Sequence, residues 1–597
     1  MTYFERSPAA VPIPGPNREP LASLLYSGAL SLAAISMLAC QPPPGSDDEA
    51  EAESSEEGTP SGDSESTDDG PTIICVPEET RCTDDASVIE TCAATGLEWE
   101  ASACGTYQSC NTCFEEGEDG SCVAACVGPC EALQDTASSE GCSFYATSMY
   151  QADSQLDELP DDAMVVGNPQ LELPATVELR FAPEGSNIEE LVEGPITLQP
   201  GESHVFKLPG ELTEYYEVTS MYRSGAVHHV VSDLPVVAYL HSPFEGSSTN
   251  GSSLLLPEHM LTGEYVVFGE KAYVVPSYFV AIALEDQTTL RWWPSVDTAG
   301  DNLPLPFVAG GEMGEQLLNR FDNVRIDTSL ENGAPSCAQD LSGTVVTADK
   351  PIWLVSAIRG LRVPFCSGSA IEGCSPPLDV DTACNRGSDF VQEQVLPLDY
   401  WGMEYVGPHS PLRGQERHFW RIYAGADDIT VSVDPPQEGT PIALAKRGDW
   451  AELVVDNATN LYFSADGPFM PVQYVAGHYE ADNRGSPAMV QMVPTAQFLD
   501  RYVFVTGYNY DEHYVQVIRE AGGPDVVLDD VVIADAFAVI GDWEVANVAV
   551  EEGPHEIHSE GSFGIIQYGY SDFNGYEDPS SGYGYPGGMK GEVIYIP

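Results

Sequence analysis

The chain has 597 residues, with 23 Lys and Arg set against 94 Asp and Glu for a formal net charge of −71. So acidic a chain lacks the cationic surface that releases counterions from nucleic acid, and anionic lipid headgroups repel it, so neither is a partner of its surface. Its length is enough for several domains with cores of their own.

An uncharged apolar run, Leu21 to Ala39, follows Arg6 and Arg18 and ends in Met37-Leu38-Ala39-Cys40. A basic flank, an apolar stretch and a small residue before the cut are the parts of a secretory signal. With a cysteine straight after the small residue, the segment resembles the lipobox of bacterial lipoproteins. That resemblance implies a signal peptide over 1–39, diacylglycerol on the Cys40 thiol and attachment to a membrane through this lipid. A plain N-terminal transmembrane anchor is the alternative. Gln41, where retained lipoproteins of enteric bacteria carry aspartate, implies the outer membrane, with the body on the cell surface or in the periplasm. Residues 40–72 comprise the lipidated cysteine and an acidic linker without an aromatic or basic residue. Such a stretch buries too little apolar surface to offset ordering entropy and is expected to be disordered. No second apolar run is long enough to cross a bilayer.

The chain holds 15 cysteines, an even 14 without Cys40. Ten cluster as Cys75, Cys82, Cys92, Cys104, Cys110, Cys113, Cys122, Cys126, Cys130 and Cys142; four more are Cys337, Cys366, Cys374 and Cys384. Clustered, even cysteines in an exported chain read as disulfides. Cys110-Asn-Thr-Cys113 has the spacing of a redox or zinc motif, but no histidine lies near it, and a structural bridge is the expectation. Residues 73–138 form a module too small and polar for an ordinary core, so disulfides must hold it. Cys142 belongs either to this module or to the next domain.

From 139 to 597 short runs rich in Val, Ile, Tyr, Phe and Thr recur between Gly, Pro, Asn and Asp, which predicts β-strands throughout. The runs repeat. Pro257, Pro397 and Pro494 each follow an apolar pair or triplet and precede, by eight residues, a tyrosine opening a strand: Tyr265, Tyr405 and Tyr502. Each unit closes on an acidic turn leading into a strand, at Asp349-Lys-Pro, Asp466-Gly-Pro and Glu560-Gly-Ser, and Asp233-Leu-Pro marks an earlier, divergent unit. Proline fixes φ and lacks a donor, which suits the first residue of a strand, and the aspartate can accept from nearby amides across the turn. The expectation is an all-β fold: four tandem β-sandwich-like repeats after the disulfide-rich module, with a β-propeller-like ring as the alternative.

With the repeats in view, residues 139–597 resemble the N-terminal domain family of IgGFc-binding protein, which occurs in animal mucus proteins and in exported bacterial proteins, myxobacterial lipoproteins among them. The residues that carry the resemblance are Ser253-Leu-Leu-Leu-Pro257, Ala348-Asp-Lys-Pro351, Gln392-Glu-Gln-Val-Leu-Pro397 with Trp401-Gly402, Ser486-Pro-Ala-Met489 and Gly582-Tyr-Gly-Tyr-Pro-Gly-Gly-Met589. The family has no established catalytic residue, so the resemblance implies binding rather than catalysis. The cysteine loop between repeats is expanded here, through Cys366, Cys374 and Cys384.

Several sequences imitate sites. His228 and His229 are neighbours in a strand and point to opposite faces, which disfavours shared metal ligation. His555-Glu-Ile-His558 lacks the zincin spacing. Gly62-Asp-Ser64 sits in the linker, and Arg447-Gly-Asp449 reads as an ordinary turn. Asp157 to Asp162, and Asp379 and Asp381 with Asp389, offer hard oxygen ligands that leave Ca2+ open as a cofactor, without the spacing of a known calcium loop. The stapled insertion, with Arg359, Arg362 and Phe365 beside it, is the expected recognition surface. The sequence therefore points to a non-enzymatic, lipid-anchored binding or adhesion protein for a protein or glycan ligand. An extracellular polysaccharide hydrolase working through paired carboxylates and a structural envelope component are the alternatives.

Overall fold

The computed structural model describes residues 74–597 except 106, 117–121, 134–137, 150–160, 209–219, 245–249, 272–275, 301–304, 330–339, 365–388, 457, 535 and 575–579. The signal segment, Cys40 and the linker lie outside the described residues, as do Cys337, Cys366, Cys374, Cys384 and Phe365. No helix among the described residues is long and apolar enough to cross a membrane.

The cysteine module is two small antiparallel sheets, Thr80–Cys82, Val88–Cys92 and Trp99–Ala103 in one and Ser109–Glu116 with Cys122–Val127 in the other. Few apolar side chains are buried here besides cysteines themselves, Ala124 and Val127 among them. Disulfides Cys75–Cys92, Cys82–Cys110 and Cys104–Cys126 do the work of a core. A fourth, Cys130–Cys142, leaves the module: it joins the short helix Pro129–Ala132 to the strand Gly141–Ala146 of the next domain. The side chains of Cys113 and Cys122 lie outside those described.

The rest is strand, in four repeats bounded by Pro257, Pro397 and Pro494. After each of these prolines comes one 3-10 turn, Glu258–Met260, Leu398–Tyr400 or Thr495–Gln497, and then the predicted tyrosine. The tyrosine does the same job each time. Its hydroxyl accepts from the amide three residues earlier: Thr262 to Tyr265 at 3.3 Å, Gly402 to Tyr405 at 2.9 Å and Leu499 to Tyr502 at 2.9 Å. Tyr265 and Tyr502 then donate to carbonyls of their repeat's closing element, Ile352 at 2.7 Å and Phe563 at 2.5 Å.

The acidic turn works over a longer range than the sequence implied. Asp233, Asp349 and Asp466 each cap a backbone amide at the start of another strand, those of Thr176 (2.7 Å), Thr289 (2.7 Å) and Thr430 (2.8 Å), rather than an amide of their own turn. In the middle two repeats the turn splits the closing strand, into Val345–Ala348 and Ile352–Leu361, and into Leu461–Ala465 and Phe469–Tyr474. Each of these repeats is accordingly two packed sheets, a sandwich. In the outer two repeats the strand runs through unbroken, as Val227–Ser242 and Pro554–Tyr570, and gathers its partners into one sheet of seven or eight strands.

The four sandwich-like units also close on each other. Each closing strand pairs with a short inner strand: Gly251–Leu254, Asp389–Gln394, Met489–Gln491 and Gly582–Pro586. The first inner strand touches the second, the second the third, the third the fourth and the fourth the first. The repeats thus share one axis, and a single apolar core runs from Phe144 to Met589. The seam between last and first repeat is specific: Tyr239 donates to the Gly587 carbonyl (2.8 Å), Ser139 N–H to the Met589 carbonyl (2.8 Å), and Ser138 bridges Lys590.

Candidate ligand-binding site at the mouth of the ring

Each closing strand reaches its inner strand through one connection, residues 243–250, 362–388, 475–488 and 571–581. Since every one of these pairs is antiparallel, all four connections fall at the same end of the ring. Residues in and next to the inner strands, among them Asn250, Gly251, Gln392, Met489 and Tyr583, line one narrow well there. It lies between all four repeats, narrow and partly open to solvent, with about 160 Å³ of space between its atoms and mouth. Gly251 and Gly582 permit that closeness: a Cβ on the first would stand 3.0 Å from the Phe390 ring, on the second 2.9 Å from the Ser486 nitrogen.

The walls are polar but carry no free charge. Asn250 N–H donates to Asp389 (2.7 Å) and Asn250 Nδ2 to the Pro243 carbonyl (2.9 Å). Ser252 pairs with His241 Nδ1 (2.9 Å), and Ser580 with His478 Nδ1 (2.9 Å). On the second inner strand, Glu393 accepts from Ser253 (2.8 Å) and from Gln491 Nε2 (3.2 Å). Burial pushes the carboxyls of Asp389 and Glu393 well above the usual range, and it pulls His241 down to about 3 and His478 to about 4. All four groups are thereby held toward their neutral forms, as a dry interior requires. Aromatic rings complete the rim: Tyr583 stacks on Tyr585, and Tyr508, 47% exposed, lies flat on Phe244 at 5.4 Å. Chemically this is a rigid hydrogen-bonded plug with loops above it, suited to presenting a surface rather than to moving protons.

Of the expected recognition residues, Arg359 and Arg362 sit at this end, and Phe365 lies outside the described residues. Arg359 stands near the end of the strand Ile352–Leu361 and is buried, its charge acting on Asp327, whose carboxyl burial raises to about 6 against the pull of Arg325 and Arg359. Arg362 follows, half-buried, and opens the long second connection. The look-alike motifs dissolve into structure. His228 is buried against Phe181 (4.5 Å), while His229 bonds Glu189. His555 and His558 lie on the strand Pro554–Tyr570, His555 bonded to Asp529 (2.7 Å). Arg447 pairs with Glu264, and Asp449 caps its own turn through Ala445 and Lys446. Asp162 is buried and accepts from Met149 N–H (2.9 Å); Asp157, Asp379 and Asp381 lie outside the described residues. Among the described residues no three His, Cys, Asp or Glu side chains gather as a metal set. Sequence reasoning missed the ion cluster on Arg421; its one signal was a charge in the middle of Phe419-Trp-Arg-Ile-Tyr423.

No curated protein and no solved structure matches the chain. One family profile, described as IgGFc binding protein, matches residues 251–569, more than half of the chain, from the first inner strand to the end of the last closing strand. The chain belongs to the IgGFc-binding protein family.

Proposed function

We propose that this is an exported, lipid-anchored binding protein that takes a protein ligand at the loop-bearing end of its ring. The observation that carries the reading is the convergence of four equivalent connections around one axis, with the second expanded to 27 residues between its strands and holding three cysteines. Loops on a rigid scaffold are where recognition concentrates, because the scaffold fixes their ends at no cost to the fold. Family membership supports a protein ligand. The apolar run before Cys40 and the acidic linker behind it support a lipid tether that holds the ring clear of an outer membrane.

The test uses the full chain on arrays of extracellular proteins and glycans, beside a variant in which residues 366–384 become a Gly-Ser linker and Cys337 becomes serine. Loss of the strongest protein signal, with melting unchanged, is expected. Equal binding by both chains, or glycans bound and proteins not, would sink the reading. The anchor is checked separately: Cys40→Ala is expected to move the protein from the membrane fraction to the soluble one.

A further inference from the structure

The first repeat lies ahead of the family match and carries a different constellation. The strand Gly141–Ala146 pairs with Val227–Ser242 so that Tyr145 faces His229, and Ser143, two residues away, shares their side of the sheet. Ser143 Oγ is 2.8 Å from His229 Nε2. The other ring nitrogen, Nδ1, is 2.5 Å from Glu189 Oε1, and Glu189 Oε2 is 3.3 Å from Arg320. The imidazole is clamped flat against Tyr145, centroids 4.3 Å apart. Burial works against ionisation of Glu189, but His229 and Arg320 outweigh it and hold the carboxyl below its usual range. Serine, imidazole and oriented carboxylate in hydrogen-bonded series are the parts of an activated nucleophile. His229 is buried, whereas Ser143 is half-buried and Glu258 beside it is exposed, so the oxygen end of the series is the open one.

Glu258 adds selectivity. Its Oε2 is 2.6 Å from Ser143 Oγ and 2.7 Å from the Tyr145 hydroxyl. The serine has one proton and three acceptors within reach, Glu258, His229 Nε2 and, farther off at 3.3 Å, the Tyr145 hydroxyl. A cation seated on Glu258 takes that carboxylate out of the competition and leaves the proton to the imidazole. The acidic surface concentrates such cations.

We propose that Ser143 and His229, positioned by Glu189, form an acyl-transfer site for esters bearing a cationic group, with Glu258 as the seat of the cation. Ser143 Oγ bonds to the acyl carbon as the ester C–O bond breaks. The serine proton passes to His229 Nε2 and on to the leaving alkoxide. Water then attacks the acyl-serine, gives its proton to His229 and frees the acid as the proton returns to Ser143.

The full chain is treated with a fluorophosphonate, which forms an Oγ–P bond and expels fluoride, and the adduct is located by peptide mass spectrometry. Labelling at Ser143 is expected, slowed on the order of 100-fold in His229→Ala. Glu189→Gln slows labelling and Glu189→Asp restores part of it, a graded rescue that a purely structural tie does not produce. Acetylcholine is expected to be cleaved about 10-fold faster than its carbon isostere with tert-butyl in place of trimethylammonium, and Glu258→Gln removes the preference. An unlabelled Ser143 in the folded wild-type chain overturns the proposal, whatever the variants do. Equal labelling in wild type and His229→Ala does so too.

Discussion

Arg421 stands in the middle of the strand His418–Ala424 and is 1% exposed, yet both terminal nitrogens of its guanidinium are engaged across the border between the second and third repeats. It bonds the Gly269 carbonyl (2.9 Å), Asp340 (2.7 Å), Ser342 (2.6 Å), Glu270 (2.7 Å) and Glu452 (2.8 Å), and lies 4.0 Å over the Trp450 ring. Removing one member of a buried ionic cluster leaves the others desolvated and unpaired, so Arg421→Ala is expected to cost about 3–5 kcal/mol in urea unfolding. Arg421→Lys recovers little of that, because a point charge cannot span several acceptors in a plane. His228 supports a second prediction. Burial alone pulls its folded pKa down to about 3, against 6.5 for the free side chain, and among the described residues neither ring nitrogen has a hydrogen-bond partner. Between those values the unfolded chain binds a proton that the folded chain refuses, so stability falls as pH drops from 6.5 toward 3. At pH 5 this share is about 2 kcal/mol. His228→Phe, stacked on Phe181 in its place, is expected to flatten that part of a melting-temperature profile. The sequence showed a strand around Arg421 and alternation at His228. What it left hidden was partners such as Asp340 and Gly269, 81 and 152 residues from Arg421, which only the packing of repeats brings near.

At the scale of elements, the repeating Pro, Tyr and Asp-x-Pro signals were legible because each serves one local backbone need that recurs. The proline starts a 3-10 turn, the tyrosine ties that turn to the closing element, and the acid caps a strand. The identity of the capped strand was not legible. Asp349 reaches Thr289 across 60 residues and Asp466 reaches Thr430 across 36, distances set by sheet order and not by the turn. Tyr502 tests the tyrosine's role, since its buried hydroxyl serves both Leu499 N–H and the Phe563 carbonyl. Tyr502→Phe keeps the ring but strands both backbone groups, and the expected loss is about 1–3 kcal/mol, read from the urea midpoint. A loss near zero means that water replaces the hydroxyl and the tie is dispensable.

At the scale of the molecule, four repeats were countable in the sequence, but nothing in a linear pattern states that the fourth meets the first. That contact is made by unlike residues, Tyr239 with Gly587 and Ser139 with Met589, which no repeat period predicts. It has a topological consequence. Ser138 and Lys590 face each other as an antiparallel bridge, the geometry of a hairpin lacking only its turn. A short Asn-Gly turn joining Lys590 to Ser138 therefore fits without strain, and the chain can be opened instead in the second connection, between Ser375 and Pro376. Such a permutant lacks the cysteine module, so Cys142→Ser accompanies it, and the matching control is the unpermuted 138–590 chain with the same change. In a closed ring every native contact survives the exchange, and the permutant is expected to unfold in one transition with Tm within about 5 °C of the control. In an open row of repeats the new turn has to span the whole length of the row. The permutant then fails to fold while the control does not, and calorimetry on the pair separates the two architectures.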